Sequence, residues 1–446
     1  MSKKEFVWGT STAAYQIEGA TKTDGRGESV WDSFQQHEGR IYDGSNANVA
    51  CDHYHRYKDD VKLIKNLGSD AYRFSISWTR LFPEGIGKFN QKGADFYSRL
   101  IDELLENGVE PFVTLHHWDY PLALYNRGGW LNPDCSKWFA EYAEKVMKLY
   151  GDRVQKYTTI NEPQTIMECA YNNNFHAPGL KFDKKQQFVV LHNMLLSHGK
   201  AAKIIHSYGG QASIAPSSKV IMPAEESAEN IEAAREATYS TKFNDFHWSA
   251  HYYLDPMMFG KYPDEYFQKY ADIIPDIKAE DMKIISEPLD FLCQNIYDGR
   301  YLAIKNGKSY ILQDEYGAPR TAMDWPITPE VIYWGIRFTS ERYKLPLYIT
   351  ENGVAMPDLI TDKKKIHDGA RIEYMRRYIK QLMKARGEGL PVKGYFYWSL
   401  MDNFEWQFGY SKRFGLVYVD YKTLERITKD SYDFYCDIIN TDGSNL

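Results

Sequence analysis

Two glutamates in this 446-residue chain directly follow short segments with the composition of buried β-strands. Glu162 comes after residues 156–160, of which 157–160 are β-branched or aromatic, and Glu351 comes after the apolar residues 347–349. Pro163 cannot donate a hydrogen bond to a sheet and disfavours helical backbone at the residue before it, so we expect an extended Glu162 at a strand end. A pair of carboxyl groups can cleave a glycosidic bond, one as acid and the other as nucleophile or base.

The segments around these glutamates repeat an order of strand, loop and amphipathic helix. Apolar residues at helical spacing predict helices that end near Gly68, Asn107-Gly108 and Gly151. Later helices are predicted to start at a Thr328 cap with Pro329 as the first helical residue, and after Asp368. The strand candidates are FVWGTS (6–11), AYRFSIS (71–77), VEPFVTL (109–115), residues 156–160, ASIAP (212–216), DFLCQN (290–295), PLYIT (346–350) and VKGYFYW (392–398).

Eight such strands predict an α/β fold, a (β/α)8 TIM barrel that forms one domain over residues 1–446. Chemistry in that fold lies at the carboxyl ends of the strands. Glu162 and Glu351 would end the fourth and seventh strands and face each other across the barrel mouth. Either glutamate alone would more simply be a helix cap or the partner of an arginine. Their equivalent positions favour a catalytic pair.

Composition excludes several classes of function. The net charge of −6 and the pI near 6.1 give no basic surface for nucleic acid or for an anionic membrane, and no segment approaches 18 apolar residues. Five scattered cysteines without a CxxC pair, together with an N-terminus that lacks a long apolar stretch, predict a cytoplasmic protein without a disulfide framework. Whether the chain forms a homo-oligomer is left open.

Ordered motifs along nearly the whole chain resemble glycoside hydrolase family 1, the β-glucosidase family. The two acids lie in TxNEP and ITENG. The other matching segments, in chain order, are FVWGTSTAAYQIEGA, GESVWDSF, CDHYHRYKDDVKLIKNLG, YRFSISWTRLFP, TLHHWDYP, HAPG, LDPMMFGKYP, MDWPITPE and WSLMDNFEWQFGYSKRFGLVYVDY. A lone NEP would be weak evidence, whereas this ordered set is very specific.

The resemblance implies a retaining mechanism, with Glu351 as the nucleophile and Glu162 as the acid/base. Retaining enzymes hold these carboxyl groups about 5–5.5 Å apart. The resemblance also implies that Arg73 and Tyr297 keep Glu351 ionised by charge and hydrogen bonding, while Glu162 begins protonated. It implies no cofactor and no metal. The expected partner is a small β-glycoside.

Residues for the nonreducing sugar also follow from the resemblance. Indoles suit the apolar face of a sugar ring, and amides, imidazoles and carboxylates suit its hydroxyls. The implied sugar-binding residues are Gln16, His117, Trp118, Asn161, Asn295, Trp398, Glu405 and Trp406, and Trp325 is the candidate platform for a second sugar or an aryl group.

Glu405 and Phe414 favour unphosphorylated substrates. Relatives that act on 6-phosphorylated sugars usually have a smaller neutral residue and a tyrosine at these positions, and a carboxylate would repel a phosphate. Lys412 alone decides nothing. We therefore expect an exo-acting β-glucosidase that uses cellobiose, short cello-oligosaccharides and other β-glucosides. The choice among glucosides, galactosides and fucosides is left open.

Three other functions agree less well with the sequence. A 6-phospho-β-glycosidase is opposed by Glu405 and Phe414, and a noncatalytic glucan-binding protein is opposed by the retained acid pair. A metal-dependent barrel enzyme was prompted by five histidines, His53, His55, His116, His117 and His176, which show no ligand spacing typical of a metal site. Departures from the family pattern at His116, Gln164 and Asn174 leave the leaving-group preference open.

Overall fold

The computed structural model describes residues 5–217 and 219–446. Its main sheet has eight parallel strands, in the spatial order five, four, three, two, one, eight, seven, six. The strands are Val7–Ser11, Ala71–Ser75, Glu110–His116, Lys156–Asn161, Gln211–Ala215, Leu292–Asn295, Leu347–Asn352 and Val392–Trp398. Every strand candidate from the sequence is present, and the predicted (β/α)8 fold is confirmed.

The barrel is nearly closed between the fifth and sixth strands. The amide of Asp290 donates to the carbonyl of Ala212 at 3.1 Å, and the amide of Asn295 donates to the carbonyl of Pro216 at 3.1 Å. All other neighbouring strands pair in parallel register. The carboxyl ends of the fourth and seventh strands therefore lie on one face of the barrel.

Helices surround the sheet, and smaller strands lie outside it. The α-helices are Ala14–Ile17, Val30–Phe34, His53–Asn66, Trp78–Leu81, Gln91–Glu106, Leu122–Tyr125, Cys135–Tyr150, Pro163–Thr165, Lys184–Ser207, Ala228–Thr238, His251–Phe259, Asp264–Tyr270, Ala279–Ile285, Val331–Tyr343, Gly369–Gly387 and Asp430–Thr441. Short helices of other types are Gly129–Leu131, Ile166–Asn172, Phe246–Trp248 and Trp406–Phe408. The outer strands are Val220–Pro223, Gly299–Lys305, Lys308–Ile311, Val417–Val419 and Arg426–Thr428. Among the described residues, no helix is long and apolar enough to cross a membrane.

The apolar stripes predicted from the sequence face the core. In the helix Gln91–Glu106, Phe96, Leu100 and Leu104 recur every four residues and are buried. The sequence also predicts Leu105 as part of this stripe, but Leu105 is one position off it and is 41% exposed. The four-residue spacing thus decides which leucines are buried against the barrel.

The predicted helix cap at Thr328 is wrong. The helix begins at Val331, and the Thr328 hydroxyl instead accepts a hydrogen bond from the amide of Gly299 at 3.0 Å. That amide starts an outer strand, so a tertiary contact takes the hydroxyl that local sequence would assign to the helix. The helix predicted after Asp368 does begin at the next residue.

A small apolar cluster built from barrel strands lies apart from the main core. Phe112 and Phe396 pack edge to face at 5.3 Å between ring centroids, and Phe291 packs on Phe112 at 5.5 Å. Phe112 pairs in register with Arg73, whose guanidinium reaches the seventh strand's glutamate. The cluster therefore lies beside the strand that carries Arg73. The single domain over residues 1–446 stays a prediction, and residues 1–4 and 218 of it lie outside the described part.

Candidate active site

Glu351 lies near the carboxyl end of the seventh strand, where two donors hold its carboxyl group. Its Oε1 accepts a hydrogen bond from Nη1 of Arg73 at 2.6 Å, and its Oε2 accepts one from the Tyr297 hydroxyl at 2.8 Å. The Arg73 side chain is fully buried, so it needs an anion beside it. Burial raises the pKa of Glu351 above its usual value, and Arg73 and the Tyr297 hydroxyl oppose that rise. These two contacts favour an ionised Glu351.

Glu162 does not have the extended backbone expected from Pro163. Its φ of 43° and ψ of 66° place it in the left-handed region, and Pro163 starts a short helix behind it. A proline excludes the right-handed helical conformation from the preceding residue, and the left-handed region also satisfies that restriction. The Glu162 amide donates to the carbonyl of Ala215 at 2.7 Å. Non-glycine residues with such backbone strain cluster at functional sites.

The Glu162 carboxyl group has neutral partners. Its Oε1 accepts from Nδ2 of Asn295 at 2.9 Å, and its Oε2 accepts from the Thr165 hydroxyl at 2.7 Å. Burial and the negative charge of Glu351 raise the pKa of Glu162 to about 7. The two glutamates thus differ in environment: one contacts a guanidinium, and the other keeps its proton up to neutral pH. This is the difference that an acid and a nucleophile require.

Asn161 connects the two glutamates. Its Oδ1 accepts hydrogen bonds from Nη2 of Arg73 at 2.6 Å and from Nδ2 of Asn295 at 3.0 Å. Its Nδ2 must therefore donate to Nε2 of His117, 3.0 Å away. Burial lowers the pKa of His117 well below its usual value, so the ring is neutral and its proton lies on Nδ1. That Nδ1 is buried without a partner among the described residues, which leaves it free for a ligand hydroxyl.

Both glutamates open into a cavity of about 280 Å³ with aromatic walls. The His117 ring stacks on Trp398 at 5.8 Å between centroids with an interplanar angle of 19°. The predicted residues in the cavity wall are His117, Trp118, Glu162, Tyr297, Trp325, Glu351, Trp398, Glu405 and Trp406. Arg73, Asn161, Asn295 and Gln16 lie behind the wall and hold it. The structure thus brings all thirteen predicted residues together, while their roles stay predictions.

Glu405 is a third acid in this cavity. Burial, together with the negative charges of Glu351 and Glu162, raises the pKa of Glu405 to about 8. Nε2 of Gln16 lies 3.3 Å from Oε2 of Glu405, and Oε1 of Gln16 is buried without a partner among the described residues. The Glu405 carboxyl group lines the cavity, where it can bind sugar hydroxyls, and Gln16 contacts it from behind the wall.

Sequence reasoning missed part of the cavity wall. Thr165 follows Glu162 by three residues, a spacing that brings side chains together once Pro163 begins a helix, and that signal could have been used. The other missed residues are Cys169, His176, Ser217, Lys219, Trp248, Asp298, Met323, Gln407 and Phe408. Most of them lie on loops, where no periodic pattern indicates orientation.

Two of the departures from the family pattern, Gln164 and His116, are buried outside the cavity wall. Gln164 is buried, and its Oε1 accepts from the amide of Ser217 at 3.3 Å. His116 is also buried, and burial lowers its pKa to about 3. Lys412 donates to the carbonyl of Ala322 at 2.6 Å. Gln164, His116 and Lys412 are therefore not part of the cavity wall.

The five histidines that prompted a metal-dependent alternative do not form a metal site. His53 pairs with Asp60 at 2.8 Å, and His55 pairs with Asp52, the residue before the helix His53–Asn66. Within residues 5–217 and 219–446, no group of three His, Cys, Asp or Glu side chains is arranged to hold a metal ion.

Replacement of Thr165 by valine is expected to shift the pH dependence of activity. The Thr165 hydroxyl and Asn295 lower the pKa of Glu162 by hydrogen bonding to its ionised form. Without the hydroxyl the acid holds its proton longer, so the alkaline limb of kcat/KM, which begins near pH 7, moves to higher pH by up to about one pH unit. The pH profiles of both proteins, measured with one aryl β-glucoside, test this. A limb that stays in place or moves to lower pH would contradict the assignment of Glu162.

Comparison with known proteins gives consistent matches along the whole chain. The family model described as Glycosyl hydrolase family 1 matches residues 2–444. Beta-glucosidase A of Acetivibrio thermocellus is 44% identical over 449 residues, which cover 99% of this chain and 98% of that protein. The 1,4-beta-D-glucan glucohydrolase of Thermotoga neapolitana is 43% identical over 442 residues, 98% of each chain. A beta-glucosidase from Thermotoga maritima in complex with glucoimidazole superposes with a TM-score of 0.90 at 42% identity and 99% coverage of both chains.

Proposed function

The chain belongs to glycosyl hydrolase family 1, a family of retaining glycosidases, and we propose that it hydrolyses terminal nonreducing β-D-glucosyl residues by double displacement. The substrates are cellobiose, short cello-oligosaccharides and other β-glucosides. One observation carries the proposal: two buried glutamates share a sugar-sized cavity, one against Arg73 and the other with a pKa of about 7. The names of the relatives in Acetivibrio and Thermotoga support the glucoside assignment.

In the first step Glu351 attacks the anomeric carbon, while Glu162 gives its proton to the departing oxygen. The bond between the anomeric carbon and that oxygen breaks, and an ester forms between Glu351 and the sugar. Arg73 and Tyr297 hold the Glu351 carboxylate ready for attack without themselves reacting. His117, which lines the cavity and is held by Asn161 behind it, binds a sugar hydroxyl beside the reacting carbon in this proposal.

In the second step water replaces the leaving group. The ester no longer carries the negative charge that raises the pKa of Glu162, so this group now loses its proton more readily. Glu162 takes a proton from water, the hydroxide attacks the anomeric carbon, and Glu351 leaves as a carboxylate. Two inversions at the same carbon retain the β configuration.

Glu405 directs the site toward unphosphorylated sugars. Its carboxyl group lines the cavity beside the Gln16 amide, where it can accept hydrogen bonds from sugar hydroxyls. A phosphate at the same place would lie in a buried environment close to the negative charge of Glu351, the same charge that helps to raise the pKa of Glu405. Repulsion between like charges in such an environment is strong, so phosphorylated substrates are disfavoured.

The test compares kcat/KM for 4-nitrophenyl β-glucoside and its 6-phosphate, in the natural protein and in Glu405→Gln. We expect the free glucoside to be strongly preferred by the natural protein. Glu405→Gln replaces a carboxyl group that can bind sugar hydroxyls by an amide and is expected to lower kcat/KM for the glucoside about 10- to 100-fold. Preference for the phosphate would support a 6-phospho-β-glycosidase, and cleavage of neither compound would support a glucan-binding protein.

The proposal includes a cytoplasmic location. All five cysteines are unpaired thiols, and three of them are buried. Structural disulfides are common in oxidising compartments and rare in the cytoplasm. Fractionation of cells followed by a β-glucosidase assay of the cytoplasmic and external fractions tests this location.

A further inference from the structure

A buried lysine joins the loops that follow the seventh and eighth strands. Nζ of Lys429 donates to Oδ2 of Asp358 at 2.6 Å and to Oδ1 of Asp402 at 2.7 Å, and all three side chains are fully buried. Asp358 lies in the loop after the strand that carries Glu351. Asp402 lies in the loop after the eighth strand, three residues before Glu405. Lys429 therefore connects the loop behind one glutamate with the loop that carries another.

Each end of this bridge continues into further ion pairs. Arg371 pairs with Asp358 at 3.0 Å and also contacts Asp368. Arg413 pairs with Asp402 at 2.6 Å. We call the six residues the buried charge chain: Arg371, Lys429 and Arg413 with Asp358, Asp368 and Asp402. Three cations stand against three carboxylates, and a buried charge that loses its partner is strongly unfavourable, so each member depends on its neighbours.

The Asp402 end of the buried charge chain holds Phe414, whose side chain lines the cavity. Arg413, the residue before Phe414, donates to Oδ2 of Asp402. The amide of Gly415, the residue after it, donates to Oδ1 of Asp402 at 2.9 Å. The backbone on both sides of Phe414 is thus tied to one buried carboxylate.

The same aspartate begins the segment that carries Glu405. Next to Asp402, Oδ1 of Asn403 accepts from Nε2 of Gln16 at 2.9 Å, and the carbonyl of Phe404 accepts from the same nitrogen at 3.0 Å. The carboxyl group of Glu405 follows in the cavity wall. Among the described residues, no member of the buried charge chain lies in that wall, so the chain can act on a sugar only through the wall residues that it positions.

The two glutamates assigned to the reaction have other supports. Glu351 is held by Arg73 and Tyr297, and Glu162 by two neutral side chains. None of these partners belongs to the buried charge chain. A cut in the chain should therefore displace part of the sugar-binding wall and leave the reacting groups in place.

We propose that Lys429 is a positioning residue that sets the selectivity of the site for sugar hydroxyls. By bridging Asp358 and Asp402 it fixes Glu405 and Phe414 relative to the acid pair. The inference rests on the proposed β-glucosidase function and adds a residue outside the cavity on which that selectivity depends. Because the acid pair reacts at the anomeric carbon, groups elsewhere on the ring are recognised by the other polar side chains of the wall.

The test measures kcat/KM for 4-nitrophenyl β-glucoside and for 4-nitrophenyl β-xyloside, which lacks the hydroxymethyl group. The proteins are the natural one, Lys429→Met and the double variant Lys429→Met/Asp358→Asn, which removes one cation and one anion and keeps the remaining charges balanced. We expect the ratio of glucoside to xyloside to fall about tenfold in both variants. The fraction of folded protein cancels in this ratio, so lost stability alone does not change it.

Arg342→Met is the matched control. Arg342 pairs with the buried carboxyl group of Asp255 at 2.5 Å, and neither residue lies in the cavity wall. This variant also leaves a buried carboxylate without its cation, but far from the segments that hold the sugar. It should keep the ratio of the natural protein. Circular dichroism during thermal unfolding measures the stability of every variant.

The outcomes separate the positioning role from the proposed function. An unchanged ratio in both Lys429 variants, with the glucoside still cleaved by the natural protein, would overturn the positioning role and leave the function intact. An equal fall in Arg342→Met, or failure of both Lys429 variants to fold, would assign the buried charge chain to stability alone. Failure of the natural protein to cleave either compound would overturn the function. Calorimetric binding of glucose and xylose would then test the positioning role, and the same preference in the natural protein and the double variant would reject it.

Discussion

Replacement of Glu351 by alanine is expected to lower kcat/KM for every β-glucoside by at least about 10⁴-fold, the scale of loss when a nucleophile is removed. In the proposed mechanism the Glu351 carboxylate forms the covalent bond to the sugar, and neither Tyr297 nor Arg73 can replace it. The measurement is turnover of 2,4-dinitrophenyl β-glucoside, whose leaving group needs no acid. Retained turnover would contradict the assignment of the nucleophile.

Loss of Glu351 also leaves Arg73 buried without its anion, and that change can destabilise a protein by about 3–5 kcal/mol. The chain contains a matched control in the buried pair of Glu18 and Arg80, whose Oε2 and Nε lie 2.6 Å apart and which is not in the cavity wall. Glu18→Ala should also lower the free energy of unfolding, but kcat should be retained in the folded fraction. Equal losses of activity in the two variants would attribute the Glu351 effect to unfolding.

Added azide distinguishes the nucleophile from the acid/base. In Glu351→Ala the small anion can occupy the space of the lost carboxylate beside Arg73 and attack the sugar from that face. One inversion then gives the α-glucosyl azide, which is identified by its anomeric proton in NMR spectra. Formation of the β-glucosyl azide by this variant would mean that the sugar ester still forms on another residue.

Replacement of Glu162 by alanine is expected to have an effect that depends on the leaving group. For cellobiose, whose departing oxygen needs a proton, kcat/KM should fall about 10²- to 10⁴-fold. For 2,4-dinitrophenyl β-glucoside kcat/KM should change little, because this leaving group departs without a proton from the acid. The value of kcat should fall, because the second step has lost the base that activates water. Steady-state kinetics with both substrates test this pattern.

Glu162→Ala should also lose the alkaline limb of the pH profile, the fall of kcat/KM above about pH 7. The pKa of Glu162 is raised to about 7, so its carboxyl group is protonated below that pH in the natural protein and deprotonated above it. Azide should attack the sugar ester on Glu351 and give the β-glucosyl azide, the opposite anomer to that from Glu351→Ala. Thr165→Val serves as the matched control, because it keeps the carboxyl group and only moves the limb. An equal loss of kcat/KM for both substrates would contradict the acid role.

Local periodicity was enough to predict the barrel. The strands are short apolar runs, and the helices carry apolar residues every three or four positions, so each element is specified by its own segment. The positions of Glu162 and Glu351 then followed from the rule that parallel strands present their carboxyl ends at one edge. Thr328 shows the limit of this reasoning, since its hydroxyl bonds to Gly299 on another element.

The sequence by itself determined the fold, the acid pair and the family, because strand ends and ordered motifs are local features of the chain. Only the tertiary structure decided the left-handed backbone of Glu162, its hydrogen bond to Thr165 and the pKa of about 7. It also decided that Lys429 bridges Asp358 and Asp402. The physical reason is that burial, charge and loop contacts depend on residues far apart in the chain, and no local pattern records their distances.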